Sequence, residues 1–162
     1  MGDDGRARAL SILAEVEGAL ADIRCQGSAD CCRFAVTGRE PWLTVVEWRL
    51  VVAELRRQGR RLPPPRESDD GRCPFLTDQA RCQVYAARPL GCRSHFCERA
   101  TPPAPHASAF RLAARALAEL SAVEASSNDD AGSRPITSWL AAEQVGPSRA
   151  RRAQRARRRD GR

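Results

Sequence analysis

Apolar residues recur at helical spacing in the first part of this chain, over residues 7–23. Acidic residues lie opposite the apolar positions, which is the pattern of an amphipathic helix. The apolar positions of this helix are Leu10, Leu13, Val16, Leu20 and Ile23. Asp3 or Asp4 can cap its start. The helix is predicted to end just before Cys25, so that it leads into the first cysteines of the chain.

A second helix is predicted to begin after Pro41 and to run to about Gly59. Thr44 and Glu47 have the spacing of a capping box, in which a hydroxyl and a carboxylate each accept a hydrogen bond from an otherwise unpaired amide. The apolar positions that follow on one face are Val45, Trp48, Val52 and Leu55. Three prolines at 63–65 end the helix and favour an extended spacer, because proline cannot continue a helix.

Two further helices are predicted after residue 107. The first spans roughly Ser108–Ala125, and its inner face consists of Phe110, Ala113, Leu117 and Leu120. A loop at Ser126–Gly132 separates it from a short helix that begins at Pro135, a residue that is favoured at the first helical position. The apolar residues of the short helix are Ile136, Trp139 and Leu140.

The stretch between the second and third helices is irregular. Phe75-Leu76 and Arg81–Val84 flank a polar turn and predict a short hairpin, while residues 82–88 could equally form one helical turn. The predicted fold class is therefore mainly α, with three or four helices around an irregular cysteine-rich metal-binding centre and at most one short β-hairpin.

The cysteines form two groups, one on each side of the second helix. They are Cys25, Cys31 and Cys32 upstream, and Cys73, Cys82, Cys92 and Cys97 downstream. No Cys-x-x-Cys pair occurs, which argues against a thioredoxin motif, c-type haem attachment and a standard zinc ribbon. Thiolates are soft ligands that suit zinc and iron–sulfur clusters. We expect all seven sulfurs to lie in one cluster, with the second helix as a spacer outside it.

The number of metal ions stays open at this point. Two tetrahedral zinc sites would need eight ligands, and His95 is the nearest candidate for an eighth, although a histidine outside the coordination sphere is favoured. One four-cysteine site would leave three thiols, and some cysteines could instead be small buried apolar residues. Arg88 and Arg93 could donate hydrogen bonds to thiolates or bind an anionic ligand.

The net positive charge of the chain comes from its end, because residues 1–147 contain 19 arginines and 19 acidic residues. All 27 basic residues are arginines, and eight of them lie in Ser148–Arg162, where Asp160 is the only acidic residue. Residues 1–147 are predicted to form the metal-binding domain, and 148–162 a disordered tail. Such a tail is either simply solvated or contacts nucleic acid non-specifically through phosphates. The chain shows neither a signal peptide nor an apolar run that could span a membrane, so we expect a cytoplasmic protein without a membrane partner.

The cysteine pattern resembles the YkgJ-type cysteine-cluster family. The resemblance covers roughly residues 20–100, and its most specific parts are Cys73-Pro-Phe-Leu, Cys82-x-Val-Tyr85, Arg88-Pro89-x-x-Cys92-Arg93 and Cys97. That family is described as a zinc- or iron-chelating domain with a CxxCxxCC signature, so the resemblance implies metal binding but no established reaction. Ser28 stands where the signature has its second cysteine, which reduces an eight-cysteine set to seven.

The predicted function is metal binding by zinc or iron, the latter as an ion or an iron–sulfur cluster, in a role that the sequence leaves undefined. Whether the protein is an enzyme also stays open. A metal-dependent enzyme would need an open coordination position and an acid or base, and the candidate carboxylate is Glu98, which directly follows Cys97. Two further hypotheses are a nucleic-acid-associated protein that acts through its tail, and a thiol redox switch at Cys31 and Cys32.

Overall fold

The computed structural model describes residues 1–21, 28–64, 71–94, 106–125 and 132–143. Its helices are α1 (Asp3–Ala19), α2 (Phe34–Thr37), α3 (Val45–Arg57), α4 (Leu90–Arg93), α5 (His106–Glu124) and α6 (136–143). Single 3₁₀ turns occur at Asp30–Cys32 and at Tyr85–Ala87. The mainly helical fold class predicted from the sequence is therefore confirmed.

Helix α3 is the centre of the hydrophobic core. It buries Val45, Val46, Glu47, Trp48, Leu50, Val51, Val52 and Leu55. The sequence predicted that α3 buries one face, but it is buried on several sides, because α1, α5 and the 3₁₀ turn Tyr85–Ala87 all contact it. Trp48 of α3 also packs against Phe75 and stacks on Trp139 of α6. Helix α3 also contacts the cysteine-bearing part of the chain, because Glu47 in its first turn accepts a hydrogen bond from the Leu90 amide. That this helix is a spacer outside the sulfur cluster stays a prediction.

Helix α1 begins four residues earlier than predicted. Gly2 occupies the N-cap position without a side-chain hydrogen bond, and Asp3 and Asp4 lie inside the first turn, where their charges interact favourably with the helix dipole. The residues that α1 buries are Gly5, Ala9, Leu13 and Val16. The prediction that Leu10 lies on the inner face is wrong, because its side chain is 41 % exposed. Ile23 lies outside the described residues.

The C-terminal helices agree closely with the sequence pattern. Helix α5 buries Ala113, Leu117 and Leu120, and α6 buries Ile136, Trp139 and Leu140. Phe110 is half-buried, and Pro135 precedes α6 rather than starting it. Most of the predicted loop 126–132 and all of Ser148–Arg162 lie outside the described residues. Among the described helices, none is both long and apolar enough to cross a membrane.

A two-stranded antiparallel sheet joins segments that are distant in sequence. Strand β1 (Trp42–Leu43) pairs with strand β2 (Arg134–Pro135), and the Trp139 indole donates a hydrogen bond to the Leu43 carbonyl at 2.8 Å. At the position of the predicted hairpin, a single antiparallel bridge joins Leu76 to Cys82. The 3₁₀ turn Tyr85–Ala87 follows this bridge. The segment therefore contains a hairpin-like bridge and then a helical turn, the two structures between which the sequence could not decide.

Candidate metal centre

The two cysteine groups meet through a backbone contact. The described cysteines are Cys31, Cys32, Cys73, Cys82 and Cys92, and all five are free thiols. The Cys73 amide donates a hydrogen bond of 2.7 Å to the Cys32 carbonyl, and an antiparallel bridge joins Arg33 to Arg72 beside it. The upstream and downstream segments therefore lie side by side. The remaining candidates, Cys25, Cys97 and His95, lie outside the described residues.

Gly71 permits this close approach of the two segments. Its carbonyl accepts hydrogen bonds from the amides of Phe34 at 2.6 Å and Ala35 at 3.3 Å. Its φ of +52° is in the left-handed region, and a Cβ at this position would lie 2.6 Å from the Ala35 nitrogen. Only glycine fits both the backbone angle and the space. The local sequence thus brings Cys73 against the Cys31-Cys32 turn.

The sulfur of Cys31 lies 3.9 Å from the sulfur of Cys32. Two thiolates on one tetrahedral zinc, each at a bond length of about 2.3 Å, are separated by about 3.8 Å, so this pair has the spacing of one edge of a zinc site. Cys32 also interacts with Cys73 and with Cys82. Within the described ranges, however, no group of three or more Cys, His, Asp or Glu side chains is arranged to hold a metal ion. The described thiols therefore supply suitable donor atoms and one suitable spacing, but not a complete coordination sphere.

Burial and neighbouring thiols keep four of these cysteines protonated when no metal ion is bound, namely Cys31, Cys32, Cys82 and Cys92. The hydrogen-bonding contact with Cys32, together with burial, raises the pKa of Cys31 far above that of a free thiol. Cys31 lowers the pKa of Cys32, but Cys73 and burial raise it more, to about 12. Burial raises the pKa of Cys82 and of Cys92. A metal that binds these sulfurs must displace their protons.

Arg88 is a cation that acts on several of these thiols. Its positive charge lowers the pKa values of Cys31, Cys82 and Cys92, against the effect of burial. The guanidinium carbon lies 3.8 Å from the centre of the Tyr85 ring, while the buried Nε has no hydrogen-bond partner within the described part of the chain. This arrangement suits a guanidinium that offsets the negative charge of thiolates.

Arg93 holds the turn that carries Cys92. Its side chain is 4 % exposed and forms an ion pair with Glu17 of α1. Its Nε donates a hydrogen bond of 2.7 Å to the Arg88 carbonyl, and one terminal nitrogen donates a longer one of 3.4 Å to the Ala86 carbonyl. The sequence suggested that Arg93 donates to thiolates or binds an anion. In the structure it clamps the backbone between residues 86 and 93.

Glu47 links the first turn of α3 to the turn that carries Cys92. One carboxylate oxygen accepts hydrogen bonds from the Thr44 amide at 2.8 Å and the Thr44 hydroxyl at 2.7 Å, which completes the predicted capping box. The other oxygen accepts the Leu90 amide at 2.7 Å. Burial raises the pKa of Glu47, and the hydrogen bonds from Thr44 and Leu90 oppose that shift. The capping box could be predicted from the sequence. The hydrogen bond to Leu90 could not, because it joins residues that are 43 positions apart and no sequence pattern indicates it.

Ser28 is used in a turn. Its side chain is exposed, and its hydroxyl accepts a hydrogen bond from the Asp30 amide at 3.4 Å. Ala29 follows with a φ of +58° and leads into the 3₁₀ turn Asp30–Cys32. The serine at the position of the missing cysteine thus has a local structural role in shaping the approach to Cys31 and Cys32.

Comparison with known families gives one match. The model of the family described as "CxxCxxCC: Putative zinc- or iron-chelating domain" matches residues 24–122, which are 99 of the 162 residues. The matched region contains all seven cysteines, including those in the described centre. No curated protein and no solved structure matches the chain.

Proposed function

This chain belongs to the CxxCxxCC family, and from that membership we propose that it binds zinc or iron through its cysteines. The proposed ligands are Cys25, Cys31, Cys32, Cys73, Cys82, Cys92 and Cys97. The observation that supports this best is the meeting of Cys32 with Cys73, two cysteines separated by 40 residues in the sequence. Free thiols gathered from distant segments are the soft donors that both metals accept.

The surrounding residues have separate roles in this proposal. Arg88 offsets the negative charge of the thiolates, while Arg93 and Glu47 fix the turn that presents Cys92. When bound, the metal supplies a cation that holds several thiolates together and so links the two halves of the domain. Because ligand binding then contributes to folding, metal ligation stabilises a domain whose aromatic content is only 5 %.

An enzymatic role has less support. Glu47 is a buried carboxylate that contacts the turn carrying Cys92, and hydrogen bonds occupy both of its oxygens. It is therefore poorly placed to accept a proton from a substrate. Glu98 lies outside the described residues, as does the tail for which nucleic-acid contact is predicted, and cytoplasmic localisation stays a prediction as well.

Replacing Cys32 or Cys73 by serine is expected to weaken zinc binding by about two orders of magnitude. Structural zinc sites bind with roughly 10–16 kcal/mol in total, so loss of one soft ligand of four costs about 3 kcal/mol by simple division. The measurement is competition against a chromophoric chelator, with the protein kept reduced and free of oxygen.

The matched control is Ser28→Ala, which removes one hydroxyl from the turn beside the cysteines and should leave zinc affinity unchanged. Equal affinities for the wild type and both cysteine variants would contradict the ligand assignment. A large loss in Ser28→Ala would contradict the use of this serine as a control, because its hydroxyl would then contribute to zinc binding.

A further inference from the structure

A cleft on the described surface is lined in part by two of the cysteines. It has a volume of about 630 Å³ and lies between α5 on one side and the segments around β1 and α4 on the other. Of the described cysteines, Cys31 and Cys92 line it, and both are partly exposed. A ligand in this cleft therefore lies against two of the residues proposed to bind metal.

The charged groups of the cleft leave two cations available to a ligand. Its carboxylates belong to Glu40 and Glu47, of which Glu40 accepts the Thr137 amide at 2.8 Å and Glu47 is occupied as described above. Its arginines, Arg39 and Arg111, are both exposed. Across the described ranges, no carboxylate forms an ion pair with either guanidinium. The cleft is therefore suited to an anion.

The apolar wall of the cleft strengthens its preference for an anionic ligand. Leu90, Phe110 and Leu117 contribute apolar surface to it. Low-dielectric walls concentrate the field of nearby charges and raise the local concentration of ligands of opposite charge. Arginine also matches the geometry of carboxylates, because its planar guanidinium can donate two parallel hydrogen bonds.

We propose that this cleft receives the metal as an anionic low-molecular-weight carboxylate chelate. Arg39 and Arg111 bind the carboxylates of the chelator, and Cys31 and Cys92 take the metal from it. Bonds from the metal to chelator oxygens break as bonds to sulfur form, the thiol protons pass to solvent, and no electrons are transferred. The inference rests on the proposed function and adds the chemical form in which the metal arrives.

The test compares metal transfer from two zinc complexes of opposite charge. Zinc nitrilotriacetate is an anion, and the zinc complex of tris(2-aminoethyl)amine is a cation. We expect the double variant Arg39→Gln/Arg111→Gln to accept zinc from the anionic complex about tenfold more slowly, since charges that guide a ligand change association rates by ~10-fold or more. Transfer from the cationic complex should not slow, and the equilibrium affinity for zinc should stay unchanged. Stopped-flow ultraviolet absorbance of the zinc–thiolate bonds measures both rates.

The matched control is Arg8→Gln/Arg56→Gln, which removes two exposed arginines that do not line the cleft and produces the same change in net charge. Equal slowing for both complexes, equal slowing in the control, or no slowing at all would overturn the inference while zinc binding itself stands. If the wild type takes up zinc from neither complex on long incubation, the proposed function fails instead.

Discussion

Replacing Glu47 by alanine is expected to lower the free energy of unfolding by about 3 kcal/mol, because the amides of Thr44 and Leu90 lose their acceptor inside the protein. A buried donor left without a partner costs roughly 1–3 kcal/mol, and the gain from removing a desolvated carboxylate offsets part of the sum. Glu47 is 3 % exposed, so water cannot easily replace it. Urea denaturation followed by tryptophan fluorescence measures the loss, since Trp48 and Trp139 are buried.

Two further variants serve as a conservative replacement and as a surface control for Glu47→Ala. Glu47→Gln keeps one acceptor oxygen and should lose about half as much stability as the alanine variant. Glu119→Ala removes a carboxylate that is 65 % exposed, and its effect should stay within about 0.5 kcal/mol. If Glu47→Ala were no more destabilising than Glu119→Ala, the bond between Glu47 and the turn carrying Cys92 would have no energetic importance.

Replacing Arg93 by methionine is expected to cost about 2–3 kcal/mol and to weaken zinc binding as well. Methionine keeps much of the apolar stem, but the Arg88 carbonyl loses its donor, at a cost of about 1–3 kcal/mol. Glu17 is 53 % exposed and also pairs with Arg88 at 3.5 Å, so the loss of Arg93 does not leave its carboxylate buried and unpaired. The turn that holds Cys92 then loosens. The two measurements are denaturant unfolding and the zinc competition assay.

The conservative variant Arg93→Lys separates the charge of Arg93 from its geometry. Lysine keeps the charge but cannot donate to two carbonyls in the manner of a guanidinium, so we expect partial loss of both stability and zinc affinity. Arg115→Met is the control on the exposed face of α5, where the arginine side chain is 81 % exposed. Full retention of zinc affinity in Arg93→Met would contradict the role of Arg93 in presenting Cys92.

The elements that the sequence predicted well are those with local signals. Helices α3 and α5 have apolar residues at regular helical spacing, and Thr44 and Glu47 mark the start of α3 by their spacing alone. The short helix α6 follows a proline and carries the apolar residues that fix its buried face. Local propensity and packing agree at these positions, so periodicity was sufficient.

The features that the sequence could not predict depend on contacts between distant segments. Nothing near Trp42 indicates that it pairs with Pro135, and α3 is surrounded only because several elements pack on different sides of it. The prediction for the inner face of α1 was wrong at Leu10 for a related reason. Helix α1 contacts α5, and it buries the small residues Gly5 and Ala9 in place of Leu10. Periodicity favours large apolar residues and overlooks close packing by small ones.

The candidate metal centre also has features that the sequence predicted and features that only the structure shows. The cysteines and the importance of Arg88 and Arg93 could be read from the motif. The backbone clamp made by Arg93, the contact between Glu47 and Leu90, and the need for glycine at position 71 required the three-dimensional arrangement. These contacts explain why residues with no metal-binding chemistry accompany the cysteines.

The most direct test of the central claim is metal analysis of the full-length protein purified without oxygen, with thiol reactivity measured before and after a strong chelator. We predict bound zinc or iron in stoichiometric amount, cysteines that resist alkylation until the metal is removed, and a lower unfolding midpoint once it is gone. An absorption spectrum distinguishes a coloured iron–sulfur centre from a colourless zinc site. Protein that contains neither metal above background, whose thiols all react at once and whose stability is unaffected by the chelator, would contradict the account.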